Sequence, residues 1–225
     1  MCFSPQADLA GGIVIGAVGV DAVGHCHRPR EVALASLPLL LAGHQIVEAF
    51  VWWGLEGHVN PGVGRDAVWA YLVFAFGILP VLVPGAVMAI EPDRRRRWVM
   101  APFLALGVGV AAVLLWSMAR GPVGTALGAH HIDYNLNVPA GTVVVGLYVL
   151  ATCGSLLAST YRHVRIFGAV NLAAAIVLAR LATSGFASLW CAWAAVAAGA
   201  ITLHLHLARA HRGVGPAPVG IDAPG

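Results

Sequence analysis

The chain contains no lysine, and charge of either sign is scarce: thirteen arginines and ten carboxylates make up 10% of its residues. Soluble domains carry about 25% charged residues, so a water-exposed globular surface is excluded on composition alone. The few arginines fall between apolar runs and form no basic groove-binding face, which removes nucleic acid from the list of partners. Cysteine is also sparse. Cys2, Cys26, Cys153 and Cys191 show neither a CxxC pair nor a zinc-finger spacing. No HExxH template is present, and no internal repeat of the kind seen in inverted-repeat transporters. No basic region precedes the first apolar segment, so that segment is expected to stay as a membrane helix rather than act as a signal peptide.

What the chain does have is long apolar runs, 59% of its residues being hydrophobic. A bilayer-spanning helix needs roughly 20 mostly apolar residues. Seven segments qualify, at about 7–25, 32–56, 66–90, 98–119, 140–160, 164–185 and 187–209. The expected fold is therefore all-α: an integral membrane seven-helix bundle over residues 1–212, with a flexible Pro- and Gly-rich tail at 213–225. Arginine distribution orients it. With seven spans, ten arginines fall on one side, among them the Arg94–Arg97 run, while Arg65 and Arg120 fall on the other. The positive-inside rule then sets the N-terminus outside and the C-terminus in the cytoplasm of a multi-pass inner-membrane protein. The arginine-only, Ala- and Val-rich composition suggests a GC-rich bacterial genome. The arginine run reads as an inner-leaflet anchor, with a lipid head-group site as the second reading. Trp52 and Trp53 are expected at the outer interface.

Ionisable residues within such runs are costly and mark functional sites. His44 and Glu48 lie in the second span at i, i+4, on one face, with Glu48 about 6 Å nearer the outside. The spacing suits two ligands of a divalent, zinc-like metal, or a carboxylate that orients an imidazole. A His–Glu hydrogen bond that only ties helices together is the competing reading. Arg180 lies at the depth of Glu48, and burying two charges is cheaper when they pair. His130 and His131, in the polar loop GAHHIDYNLNVP, are further metal candidates above them, though adjacent histidines in a regular element cannot both face one ion. That segment also reads as a plain polar loop over the helix ends. Cys2 could serve as an N-terminal nucleophile, or pair with Cys191 in a disulfide. Ser188 opens a small-and-polar stripe along the last span and is a second candidate nucleophile.

Three segments, MCFSPQADLAGG, HQIVEAFVWWGLE and FASLWCAWAA, resemble those of an uncharacterised bacterial family of multi-span membrane proteins that begin Met-Cys-Phe-Ser. The likeness covers nearly the whole chain and implies a set of candidate residues but no activity. A looser likeness is to seven-span metal hydrolases of the alkaline ceramidase type, whose last span carries His-x-x-x-His where this chain has His204-Leu-His206. The first expectation is accordingly a metal-dependent membrane enzyme acting on a lipid or membrane-partitioned substrate. Its catalytic candidates are Glu48, Cys2, Ser188 and Arg180, and its metal candidates His44, Glu48, His130 and His131. A small-molecule receptor or transporter using the same residues for a ligand or proton is the alternative, and a haem-binding membrane protein the third. Oligomeric state is left open.

Overall fold

A computed structural model describes residues 4–24, 26, 29–128 and 131–181, together with 193, 196, 197 and 199. It is mostly helical. The helices are α1 (Pro5–Gly24), α2 (Pro29–Ala35), α3 (Leu37–Leu55), α4 (Pro61–Leu72), α5 (Leu79–Ile90), α6 (Arg94–Arg120), α7 (Gly141–Leu157) and α8 (Arg162–Leu181), with a π-helical segment, Val73–Ile78, between α4 and α5. Five continuous helical stretches are long and apolar enough to cross a membrane: Pro5–Gly24, Pro29–Leu55, Pro61–Ile90, Arg94–Arg120 and Arg162–Arg180. Helix α7 is apolar but only 17 residues long, shorter than the 140–160 segment expected, because the chain turns at Ala158 and Ser159. The expected seventh span, 187–209, lies outside the described stretch except for isolated residues.

Local sequence explains where the helices bend. Pro38 lacks an N–H and crowds the carbonyl one turn back, so the second span breaks at Ser36, whose hydroxyl donates to Ala33 O at 2.9 Å. Pro80 acts in the same way on the third span. Its ring crowds the carbonyl of Phe76, and the helix widens into the π-helical segment just before it. Asn60 caps α4 by accepting from Gly62 N at 2.8 Å, with Pro61 at the first helical position.

Small residues bring the helices together. A Cβ on Gly107 of α6 would collide with Pro80 O, and one on Gly54 of α3 would lie 2.6 Å from Gly64 Cα of α4. Helix α1 packs antiparallel on α3: Gly12 meets Ala42 and Ile46, Gly16 meets Ala42, and Gly19 meets Leu39. Close backbone approach of this kind is how helices associate where lipid removes the hydrophobic driving force.

The expected polar loop between α6 and α7 contains a hairpin instead. Strands β1 (Gly124–Leu127) and β2 (Ile132–Asn135) pair antiparallel, with Thr125 opposite Tyr134 and Leu127 opposite Ile132. Ile132 is fully buried, so the hairpin is seated on the bundle. At the opposite end, Glu91 accepts hydrogen bonds from the backbone N–H and the hydroxyl of Thr160, tying the α5–α6 turn to the α7–α8 turn. The helix ends therefore sort into two groups, as alternating spans require.

The core is mainly apolar but also encloses polar side chains, and the exterior is apolar as well. Asp8, His44, Gln45, Glu48, Glu91, Ser155 and Asn171 are buried, while Ile13, Val14, Val20, Trp116, Val143 and Ile176 are exposed. Exposed apolar surface on this scale has no place in water.

Candidate functional site

Helix α3 carries the core of the site. His44, Gln45 and Glu48 are 3%, 3% and 0% exposed, on a stripe that continues through Leu41 and Trp52. This one-turn spacing is the face expected from the sequence. Trp52 is buried within the bundle, because it follows Glu48 by one turn on the same inward stripe.

Helix α1 adds a residue that sequence reasoning missed. Asp8 is 1% exposed. The α1–α3 register runs antiparallel through Gly12, Gly16 and Gly19, and one further turn brings Asp8 level with Glu48. Its face was legible, since Asp8, Gly12, Ile15 and Gly19 recur at helical spacing and all are buried. Which helix that face meets was not.

Four aromatic rings connect this cluster to the hairpin. The His44 ring stacks on Tyr71 with centroids 3.9 Å apart and lies tilted against Phe74 at 4.7 Å. Tyr71 in turn stacks on Tyr134 of β2 at 4.7 Å. The order Phe74–His44–Tyr71–Tyr134 thus forms one column from the middle of the bundle to its hairpin-covered end. Among the described residues, neither His44 Nε2 nor Gln45 Nε2 has a hydrogen-bond partner, although both atoms are buried. Such groups cost about 1–3 kcal/mol each when left unsatisfied, so they mark a place where a further partner fits.

The π-helical segment borders the column. Its wide turn alters the i→i−4 ladder, and Tyr148 of α7 donates its hydroxyl to Ala75 O at 2.7 Å. π-Helical turns occur frequently at functional sites. On the far side of Tyr148 lies an apolar cavity of about 50 Å³, lined by Leu37, Leu41, Leu79 and Val83 of the first spans and by Thr152 and Asn171 of α7 and α8.

Two of the other expected site residues, Arg180 and His131, are among the described ones. Arg180 is exposed on the last turn of α8, on the face opposite the buried Asn171, as the nine-residue separation requires, whereas Glu48 is fully buried. His131 faces Asp133, with Nε2 3.0 Å from Oδ1. Cys2, His130, Ser188 and Cys191 lie outside the described residues. Among the described residues, no three His, Cys, Asp or Glu side chains are grouped so as to hold one metal ion.

Helices of this length with an apolar exterior define a class, the multi-span helical proteins compatible with a lipid bilayer. Within that class the chain belongs to a family of unknown function, DUF6629, whose model matches residues 1–217. No curated protein and no solved structure matches it.

Proposed function

We propose that the protein is a seven-span integral membrane transporter, with its N-terminus outside, that binds and passes a proton at the Asp8–His44–Gln45–Glu48 cluster. The observation that carries this reading is the burial of two carboxylates, an imidazole and an amide within about one helical turn along the α1–α3 interface. Chains of Asp, Glu and His inside spans are the usual material of proton relays. Imidazole can accept and donate a proton at its two ring nitrogens, and His44 Nε2 is free to do so among the described residues. The aromatic column links the cluster to the hairpin end, and the arginine distribution supports that end as the extracytoplasmic one. A metal-dependent hydrolase acting on a lipid, the other reading, would draw its remaining ligand and nucleophile from His130, His131, Cys2 or Ser188.

The test is flux. Protein reconstituted in liposomes loaded with a pH-sensitive dye should dissipate an imposed pH gradient faster than protein-free liposomes. Glu48→Gln should return the rate to the protein-free level. A wild-type rate equal to that of protein-free liposomes, or an unchanged rate in the variant, overturns the proposal.

A further inference from the structure

We propose that the arginine cluster at the start of α6 is a binding site for the phosphate head group of an anionic membrane lipid. Arg94, Arg95, Arg96 and Arg97 are all exposed, and Arg95 and Arg96 line a cleft with Asp93, Val99 and Ala158 of the α7–α8 turn. The hydrogen bonds between Glu91 and Thr160 bring Arg162 and Arg165, also exposed, to the same end of the bundle. None of these six guanidinium groups makes an ion pair with a carboxylate among the described residues.

The two carboxylates nearest the patch bond to backbone N–H and hydroxyl donors rather than to guanidinium groups. Glu91 is fully buried and turned toward Thr160, while its main-chain oxygen accepts from Arg97 Nε at 2.7 Å. Asp93 caps α6 by accepting from Arg95 N at 3.0 Å. Neither α6 nor α8 has an acidic residue in its first turn. Cations at a helix N-terminus oppose the helix dipole, so this clustering does not serve helix stability, and a bound anion would offset it. Guanidinium groups match phosphate oxygens in bidentate geometry. The adjoining surface favours a lipid over free phosphate. Trp98 and Val99, next along the helix, are 69% and 61% exposed, an apolar shelf beside the cationic cleft on which acyl chains can lie.

Native mass spectrometry of the full chain in detergent, mixed with equimolar phosphatidylglycerol and phosphatidylcholine, tests the site. The wild type should retain phosphatidylglycerol in preference by about tenfold or more. Arg95→Gln/Arg96→Gln should bring the ratio near parity, while Arg65→Gln/Arg120→Gln, an equal charge loss at the other end, should leave it unchanged. Arg95→Lys/Arg96→Lys, which keeps charge but loses the bidentate geometry, should fall between wild type and the glutamine pair. Parity in the wild type overturns the proposal, as does an equal loss in both glutamine pairs. Displacement of the lipid by millimolar inorganic phosphate makes the site one for free phosphate and overturns it too.

Discussion

The imidazole of His44 lies almost flat on the phenol ring of Tyr71, with centroids 3.9 Å apart and planes 18° from parallel. Because Tyr71 also stacks on Tyr134, at 10° from parallel, one ring holds both the buried histidine and the hairpin. The geometry fixes where the imidazole edge points, which a proton relay needs and a loosely packed histidine would lack.

Tyr71 should therefore tolerate loss of its hydroxyl better than loss of its ring. Tyr71→Ala removes a fully buried ring and should cost about 3–5 kcal/mol by cavity formation. Tyr71→Phe keeps both stacked pairs, worth about 0.5–1.5 kcal/mol each, and should cost much less. Thermal unfolding in detergent, read by circular dichroism, separates the two; equal losses would show that the stack does not organise the site.

The π-helical segment yields a second expectation. Tyr148→Phe deletes the donor to Ala75 O and leaves a buried carbonyl without it. A loss of about 1–3 kcal/mol should follow, together with faster amide exchange across Val73–Leu79 than across α7. Exchange that rises equally in both segments would mean that Tyr148 supports the bundle at large and not the π turn.

The helices were legible because each is a long apolar run: six of the seven expected segments correspond to described helices, five of them long and apolar enough to cross a membrane. The pairing of the arginine-bearing turns was legible too, since Glu91 and Thr160 meet at one end. His44 and Glu48 share a face through spacing within one helix, which sequence records directly. Asp8, Tyr71 and Tyr134 join them through packing between elements remote in sequence, which it does not record. Arg180 was expected beside Glu48 from depth alone, and equal depth on two helices fixes neither helix's rotation. The hairpin was missed because four-residue strands of mixed polarity leave almost no periodic signal.

Helix α6 offers a contrast between two glycines on one element. Gly107 touches Pro80 O, and a methyl group there must push α5 and α6 apart, whereas nothing lies within 4 Å of a Cβ on Gly109. Gly107→Ala should cost at least about 1–3 kcal/mol as an overpacked contact. Gly109→Ala should be neutral, or stabilising by up to about 1 kcal/mol through helix propensity. Comparing the two unfolding midpoints checks the α5–α6 contact; similar values would contradict it.

The Glu91–Thr160 contact joins two turns 69 residues apart in sequence, and its removal should act on the end of the bundle rather than on the buried cluster. Thr160→Val deletes the hydroxyl donor but keeps the backbone N–H, so Glu91 retains one of its two Thr160 bonds. Hydrogen bonds to a charged group contribute about 1.5–3 kcal/mol, and the variant should lose a comparable amount. If Glu91 is what holds the α7–α8 turn beside the arginines, Thr160→Val should also weaken phosphatidylglycerol retention, because Ala158 in that turn lines the cleft. Proton flux should change little, since His44 and Glu48 belong to α3 and the contact lies between the α5–α6 and α7–α8 turns. A variant that lost flux while keeping lipid retention would reverse this division between the two ends.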